Sequence, residues 1–170
     1  DPIENGGGAL MDFGCYGANI MTYLMRGTKP LSVTAITQRF QPSLYPKVED
    51  EAIIILTYPH TQAIIQASWN WPFNRKDMEL YGDSGYVITT DDTRMRIRGR
   101  GGEEQMQLSA REVGVYTDPF FYFAAVIRGR LDLGPHSLYA LENNVMVVRI
   151  LDAARISAKT GKTVWLQESP

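Results

Sequence analysis

The sequence contains one cysteine, two histidines and no long apolar run, and each scarcity excludes a class of protein. Cys15 alone cannot form an internal disulfide, which fits a reducing compartment, and we expect a cytoplasmic protein. The longest purely aliphatic run, residues 53–56, is far shorter than the roughly 20 residues that a membrane-spanning helix needs. Two isolated histidines and one thiol, without a tight acidic cluster, predict no metal site.

Charge is nearly balanced, since 17 Lys and Arg side chains face 19 Asp and Glu side chains. This balance predicts neither a nucleic acid nor a membrane as partner. A length of 170 residues, with 44% hydrophobic and 21% charged residues, suits one globular domain with its own core. Because the chain starts with Asp1 and reaches a glycine-rich segment almost at once, we expect a piece of a longer protein in which residues 1–170 form a single domain.

Glycines and an apolar periodicity mark the first predicted element, a helix over residues 8–26. Its apolar residues recur at steps of three and four, which places them on one face; they are Phe13, Tyr16, Ile20, Tyr23 and Leu24. Gly14 and Gly17 weaken a helix, and therefore predict a close approach by another backbone or by a ligand.

Residues 31–109 read as short strands joined by short turns. Such connections require antiparallel neighbours, so the pattern predicts a meander of about six or seven strands. Two helices follow, the second with its apolar row at Leu138, Leu141, Val145, Val148 and Leu151. The order predicts an α+β fold, with an open, mainly antiparallel sheet and helices packed on one face. The other face would expose apolar side chains, as oligomer interfaces do.

Asp12 and Tyr16 form the chemistry-bearing pair of the first helix. At positions i and i+4 their side chains share a face, and Asn19 and Tyr23 continue the row. A carboxylate beside a phenol can transfer protons, although a phenol with a pKa of about 10 needs a nearby cation or a developing alkoxide. The spacing alone also fits an ordinary amphipathic helix, with Tyr16 in the core and Asp12 favoured by the helix dipole.

Aromatic residues and glycine clusters supply the other candidates. Trp69 follows a predicted strand, where a core or interface position competes with stacking on a sugar. Tyr116 either packs a helix or borders a substrate pocket. The cluster at residues 99–102 lacks the dinucleotide-binding spacing and predicts a hairpin turn. The cluster at residues 6–8 enters a helix and could hold an anion there.

Three segments resemble the glucose–fructose oxidoreductase, inositol dehydrogenase and rhizopine catabolism (Gfo/Idh/MocA) family. They are GGGALMDFGCYGANIMTYLM, ASWNWPFNRKDMELYGDSGYV and NNVMVVRILDAARISAKTGKTV. Together they span nearly the whole chain in the family's order. The resemblance implies that the chain is the C-terminal substrate domain, and that an N-terminal Rossmann domain, absent here, binds NAD or NADP.

The resemblance also implies roles for particular residues. Asp12 and Tyr16 would be catalytic, with Tyr16 at a position that most members fill with His, and a catalytic lysine would come from the missing domain. We expect substrate contacts from Asn19, Trp69 and Tyr116, and no cofactor-binding residue in this chain.

The whole protein is expected to be an NAD(P)-dependent oxidoreductase acting on a CH–OH group of a sugar, polyol or diol. It would assemble as a homo-oligomer, a dimer or tetramer, through the open sheet face, and the isolated chain would be inactive. The alternative is a non-catalytic sugar-binding or oligomerisation domain with the same fold.

Overall fold

The computed structural model describes residues 2–3, 6–109 and 118–166. The chain divides into two compact units, one formed by Asp1–Asn70 with Leu133–Pro170 and the other by Trp71–Asp132. In chain order the elements are α1 (Ala9–Asp12), α2 (Gly14–Leu24), β1 (Ser32–Gln38), β2 (Glu51–Thr57), β3 (Gln62–Ser68), β4 (Met78–Gly82), β5 (Gly85–Thr89), β6 (Arg94–Gly99), β7 (Gly102–Gln107), α3 (Pro119–Ile127), α4 (Leu141–Thr160) and β8 (Val164–Trp165).

The first unit is a four-stranded antiparallel sheet, in the order β3-β2-β1-β8, covered on one face by helices. Strand residues alternate between the faces, so Ile54 and Ile65 point toward the helices while Ile53 and Ile64 point away. The helix-covered face forms the core around fully buried Ile54 and Ile150. The other face leaves apolar side chains exposed, as predicted.

The second unit is a four-stranded meander, in the order β4-β5-β6-β7, followed by α3. Glycine turns close its first and last hairpins, at residues 82–85 and 99–102. Asp118 caps α3 by accepting from the amides of Phe120 and Phe121, at 2.7 and 3.1 Å. The predicted α+β class with antiparallel strands is confirmed. The strands form two sheets rather than one meander, because the chain leaves the first sheet at the aromatic, proline-containing segment 69–73.

The helix faces that meet the first sheet differ from those that the apolar periodicity predicts. In α2 the buried residues are Gly14, Ala18 and Thr22, whereas Tyr16 is 57% exposed. In α4 the predicted row is largely exposed, and the buried residues are Asn143, Val147, Ile150, Leu151, Ala153, Ala154 and Ser157. Small residues occupy much of both contact faces because they let a helix backbone lie close to the sheet.

Two α2 glycines make this close approach possible. A β-carbon on Gly14 would lie 2.9 Å from Cδ1 of Ile54, and one on Gly17 would lie 2.5 Å from Cγ2 of Ile65. The close partner that these glycines predict is therefore the sheet and not a ligand.

Gly17→Ala should lower the free energy of unfolding by about 1–3 kcal/mol, because overpacking against Ile65 exceeds the gain of about 1 kcal/mol in helix propensity. Urea denaturation measures the change. Gly99→Ala, with open space around the new methyl group, is the matched control. In a double-mutant cycle, Ile65→Ala should recover part of the loss, and strict additivity would contradict the clash.

Candidate functional site

The candidate site lies where α1 ends and α2 begins. The backbone breaks helical continuity at Phe13, whose amide donates to the carbonyl of Ala9 and whose carbonyl accepts from the amide of Tyr16 at 3.2 Å. Asp12 is thus the last residue of α1, and Tyr16 lies in the first turn of α2. Both side chains are exposed, so the interpretation that places Tyr16 in the core is wrong.

Trp69, directly after β3, holds the carboxylate of Asp12. Its indole Nε1 donates to Oδ2 of Asp12 at 2.9 Å. The Tyr45 ring packs against the indole, with centroids 4.8 Å apart and planes inclined at 52°. Asp12, Trp69 and Tyr45 therefore join a carboxylate to a pair of aromatic rings, an arrangement that can bind hydroxyl groups and the apolar face of a sugar.

Buried Asp50 fixes the backbone that carries both aromatic residues. Its carboxylate accepts from the amides of Phe40 and Gln41 at 2.8 and 2.7 Å, and its carbonyl accepts from the amide of Trp69 at 2.9 Å. Burial raises the pKa of Asp50, but these amides and the side chain of Asn70 outweigh burial and hold the pKa below its usual range. Asp50 is therefore ionised near neutral pH, and its hydrogen bonds fix the backbone next to the site.

Glu49 caps the N-terminus of α1 from outside the helix. Its carbonyl accepts from the amide of Ala9 at 3.0 Å, and its Oε1 accepts from the amide of Leu10 at 3.2 Å. A β-carbon on Gly8 would lie 2.2 Å from the Glu49 carbonyl oxygen, so glycine is required at the entry. The idea that residues 6–8 hold an external anion is wrong, because Glu49 occupies that position.

Glu49→Ala should lower the free energy of unfolding by about 0.5–2 kcal/mol, since the amide of Leu10 loses its acceptor at a helix end. Glu49→Gln keeps an acceptor oxygen and should lose less. Thermal unfolding of both variants checks the order. Equal losses would show that charge, and not the hydrogen bond, provides the stabilisation.

A family model for the GFO/IDH/MocA C-terminal domain matches residues 1–88. The chain belongs to the GFO/IDH/MocA family. The matched residues include all of the side chains that form the Asp12–Trp69–Tyr45 arrangement. Among curated protein sequences, none matches significantly.

Solved structures share the fold of this GFO/IDH/MocA domain. A Thermotoga maritima protein with a provisional oxidoreductase assignment matches with a TM-score of 0.76 and 22% identity, over 94% of this chain and 47% of its own. A Sinorhizobium meliloti protein, provisionally a myo-inositol dehydrogenase, matches with a TM-score of 0.70 and 21% identity. The match covers 98% of this chain and 52% of that protein. An Agrobacterium radiobacter oxidoreductase, in complex with NAD+, L-tartaric acid and magnesium, matches with a TM-score of 0.67 and 19% identity. The match covers 89% of this chain and 47% of that protein. The chain thus spans about half of the length of these structures.

Asn19 and Tyr116 are the other predicted substrate contacts of the GFO/IDH/MocA domain. The Asn19 side chain donates to the carbonyl of Leu138 at 3.0 Å and lies 3.5 Å from Oδ1 of Asn144, so it ties α2 to the segment before α4. Its predicted contact with substrate stays a prediction. Tyr116 lies outside the described residues. The sequence patterns do not single out Tyr45, Glu49 or Asp50. The local signal for Glu49 and Asp50 is the acidic run before β2, and Tyr45 has none.

Cys15 lies next to the candidate site, between Asp12 and Tyr16 in the sequence. The Cys15 thiol donates to the carbonyl of Asp12 at 3.2 Å. Burial, followed by the nearby Asp12 charge, raises the pKa of this thiol, which disfavours a nucleophilic thiolate. Across residues 6–109 and 118–166, no group of three or more His, Cys, Asp or Glu side chains could hold a metal ion, and no helix is long and apolar enough to cross a membrane.

Proposed function

We propose that this domain is the substrate-side half of an NAD(P)-dependent oxidoreductase that acts on a CH–OH group of a sugar, polyol or diol. The observation that carries the proposal is the exposure of Tyr16, four residues after an Asp12 carboxylate that Trp69 holds in place. A tyrosine that served only packing would lie on the buried face of α2, where Ala18 and Thr22 lie instead.

The cofactor, when bound, would accept or supply a hydride at the nicotinamide ring. Removal of a hydride and a proton from a CH–OH group yields a carbonyl, so the protein must handle one proton for each hydride. The Tyr16 phenol would take or return that proton, and Asp12 would accept a hydrogen bond from a substrate hydroxyl. Trp69 would keep Asp12 oriented, and the lysine that the family resemblance implies would lie outside this chain.

In this proposal the described residues contribute the substrate half of a nicotinamide site, and the phosphates of the dinucleotide bind elsewhere. The amides at the start of α1 are engaged by Glu49, and the glycines at residues 99 and 102 flank a hairpin turn. The proposal therefore assigns binding of the dinucleotide to a separate Rossmann domain. The NAD complex of the Agrobacterium radiobacter protein supports a nicotinamide as the cofactor.

The substrate class rests on the side chains around Asp12. The carboxylate suits a hydroxyl donor, and the Trp69 and Tyr45 rings suit the C–H face of a sugar or polyol. The L-tartaric acid bound to one structural neighbour and the myo-inositol dehydrogenase assignment of another support a small polyhydroxylated substrate.

The proposal is tested by joining this domain to its cofactor domain and following the nicotinamide absorbance with a panel of sugars, polyols and diols. We expect turnover with at least one of them. Sugar binding without turnover under either cofactor would favour the alternative, a non-catalytic sugar-binding module. The chain alone should show neither turnover nor tight NAD(P) binding. A clear isotherm for NAD(P) binding to the chain alone would contradict the assignment of dinucleotide binding to a separate domain.

The outer face of the first sheet supports a homo-oligomer. Ile36 and Ile64, both more than 60% exposed, lie on this face with Ile53. Ile64→Glu should place a charge on this surface and weaken self-association by about tenfold or more. Sedimentation velocity over a concentration series measures the change, with Ile127→Glu, an exposed position in α3, as the control. Wild-type chain that stays monomeric at high concentration would contradict the interface.

A further inference from the structure

An open cavity of about 680 Å³ lies at the C-terminal end of α2, beside the segment that precedes α4. Its volume falls within the range of about 300–1,000 Å³ that is common for small-molecule sites. Arg26, His136, Tyr23 and Ser137 provide its polar lining, with Leu24 and Pro135 beside them. No carboxylate of the described chain lines it, so its electrostatic character is positive.

Arg26 has a backbone conformation that arginine rarely adopts. Its φ is +50°, and Gly27 follows with +73°, so two successive residues are left-handed at the helix end. Glycine or asparagine suits such a position, whereas a longer side chain is strained. The left-handed turn caps α2, because the amide of Gly27 donates to the carbonyl of Thr22 and the amide of Arg26 to the carbonyl of Tyr23, at 2.9 and 3.0 Å. A glycine or an asparagine at position 26 would form the same cap with less strain. What arginine adds here is its guanidinium group on the cavity wall.

His136 lies against the same turn. A β-carbon on Gly27 would lie 2.9 Å from Nδ1 of His136, so the imidazole rests directly on the glycine backbone. Within the described residues, neither the Arg26 guanidinium nor the His136 imidazole has a hydrogen-bond or ion-pair partner. A guanidinium, an imidazole and two hydroxyl groups form a donor set that matches the oxygens of a phosphate or carboxylate.

We propose that this cavity binds the phosphate or carboxylate group of a small molecule, with Arg26 as its principal ligand and His136 as a second. The site stands apart from the proposed oxidoreductase chemistry. Tyr23 follows Tyr16 by seven residues, which is roughly 10 Å along the helix. The anionic group therefore belongs either to a free anion or to the far end of a substrate whose other end reaches Tyr16.

The test is calorimetric titration of the 170-residue chain with inorganic phosphate at constant ionic strength. Wild type should bind saturably, and Arg26→Gln should weaken binding about tenfold or more. Arg26→Asn, which suits the left-handed backbone, should also lose binding while remaining at least as stable as wild type, so misfolding cannot explain the loss. His136→Gln should weaken binding by a smaller factor.

Arg155→Gln, at an exposed arginine on α4, should bind phosphate like wild type. Absence of saturable binding in wild type, or equal binding in Arg26→Gln, would overturn the proposal. Titration with glucose 6-phosphate separates the two sources. Tighter binding than inorganic phosphate, with the gain lost in Asp12→Asn, identifies the far end of a substrate, and equal affinity identifies a free anion.

Discussion

Tyr16→Phe, in the protein that combines this domain with its cofactor domain, should lower kcat by about 10²–10⁴-fold, while the affinity for the nicotinamide cofactor stays nearly unchanged. The substitution removes one hydroxyl group, and that group is the proposed proton donor and acceptor. The ring should keep its position, because the Phe13 and Tyr16 rings pack with centroids 6.2 Å apart and this contact does not need the hydroxyl.

The matched control is Tyr81→Phe. Tyr81 is 69% exposed, and its hydroxyl donates to Glu79 on the same strand, remote in sequence from the site. Its kcat should equal that of wild type. If Tyr16→Phe also turned over at the wild-type rate, Tyr16 would not be the acid–base residue, and the family position would have lost its catalytic role here.

Asp50→Asn should lower the free energy of unfolding by about 2–4 kcal/mol. The carboxylate is fully buried and accepts from two backbone amides, those of Phe40 and Gln41. An asparagine presents one oxygen and one NH₂ group, so one of these amides would face a donor. Urea denaturation measures the loss, and Asp152→Asn, at an exposed residue of α4, should change stability little.

The pH dependence gives a second readout for Asp50. Its pKa in the folded state is lowered, so the carboxylate contributes stability above its unfolded pKa of about 3.9, and that stability disappears as pH falls through the folded value. The difference between wild type and Asp50→Asn should therefore be constant near neutral pH and shrink below about pH 4. A difference that grew on acidification would contradict this account.

Local sequence patterns were sufficient for the elements of the fold. The short turns within residues 31–109 predict antiparallel hairpins, and the glycine cluster at residues 99–102 predicts the turn between β6 and β7. Asp12 and Tyr16 were also recognisable, because their spacing and the neighbouring glycines lie within one short segment. Each of these predictions depends on interactions between residues that are close together in the sequence.

The buried faces of the helices were not predictable from apolar periodicity. Large side chains dominate such a pattern, yet α2 meets the sheet through Gly14 and Ala18, and leaves Tyr16 and Tyr23 exposed. The approach of two backbones decides which face is buried, and that approach depends on Ile54 and Ile65 in distant strands. Exposed aromatic residues on a helix of this kind are candidates for a site.

The roles of Glu49 and Trp69 at the site were not predictable for a similar reason. Glu49 acts on an amide 39 residues away, and Trp69 donates to a carboxylate 57 residues away. Nothing in the local sequence distinguishes these residues from a solvated acidic run and a core tryptophan. Only the pairing of β2 with β3 and the position of α1 bring them together.

Transfer of deuterium from the substrate to the cofactor tests the central claim most directly. The joined domains are given the polyol or sugar that turns over fastest, labelled at the CH–OH carbon, and the reduced nicotinamide is analysed by mass spectrometry. We predict that the label appears in the nicotinamide, and that Tyr16→Phe slows its appearance without diverting it. Turnover that left the nicotinamide unlabelled, or label transfer at the wild-type rate in Tyr16→Phe, would contradict the role assigned to this domain.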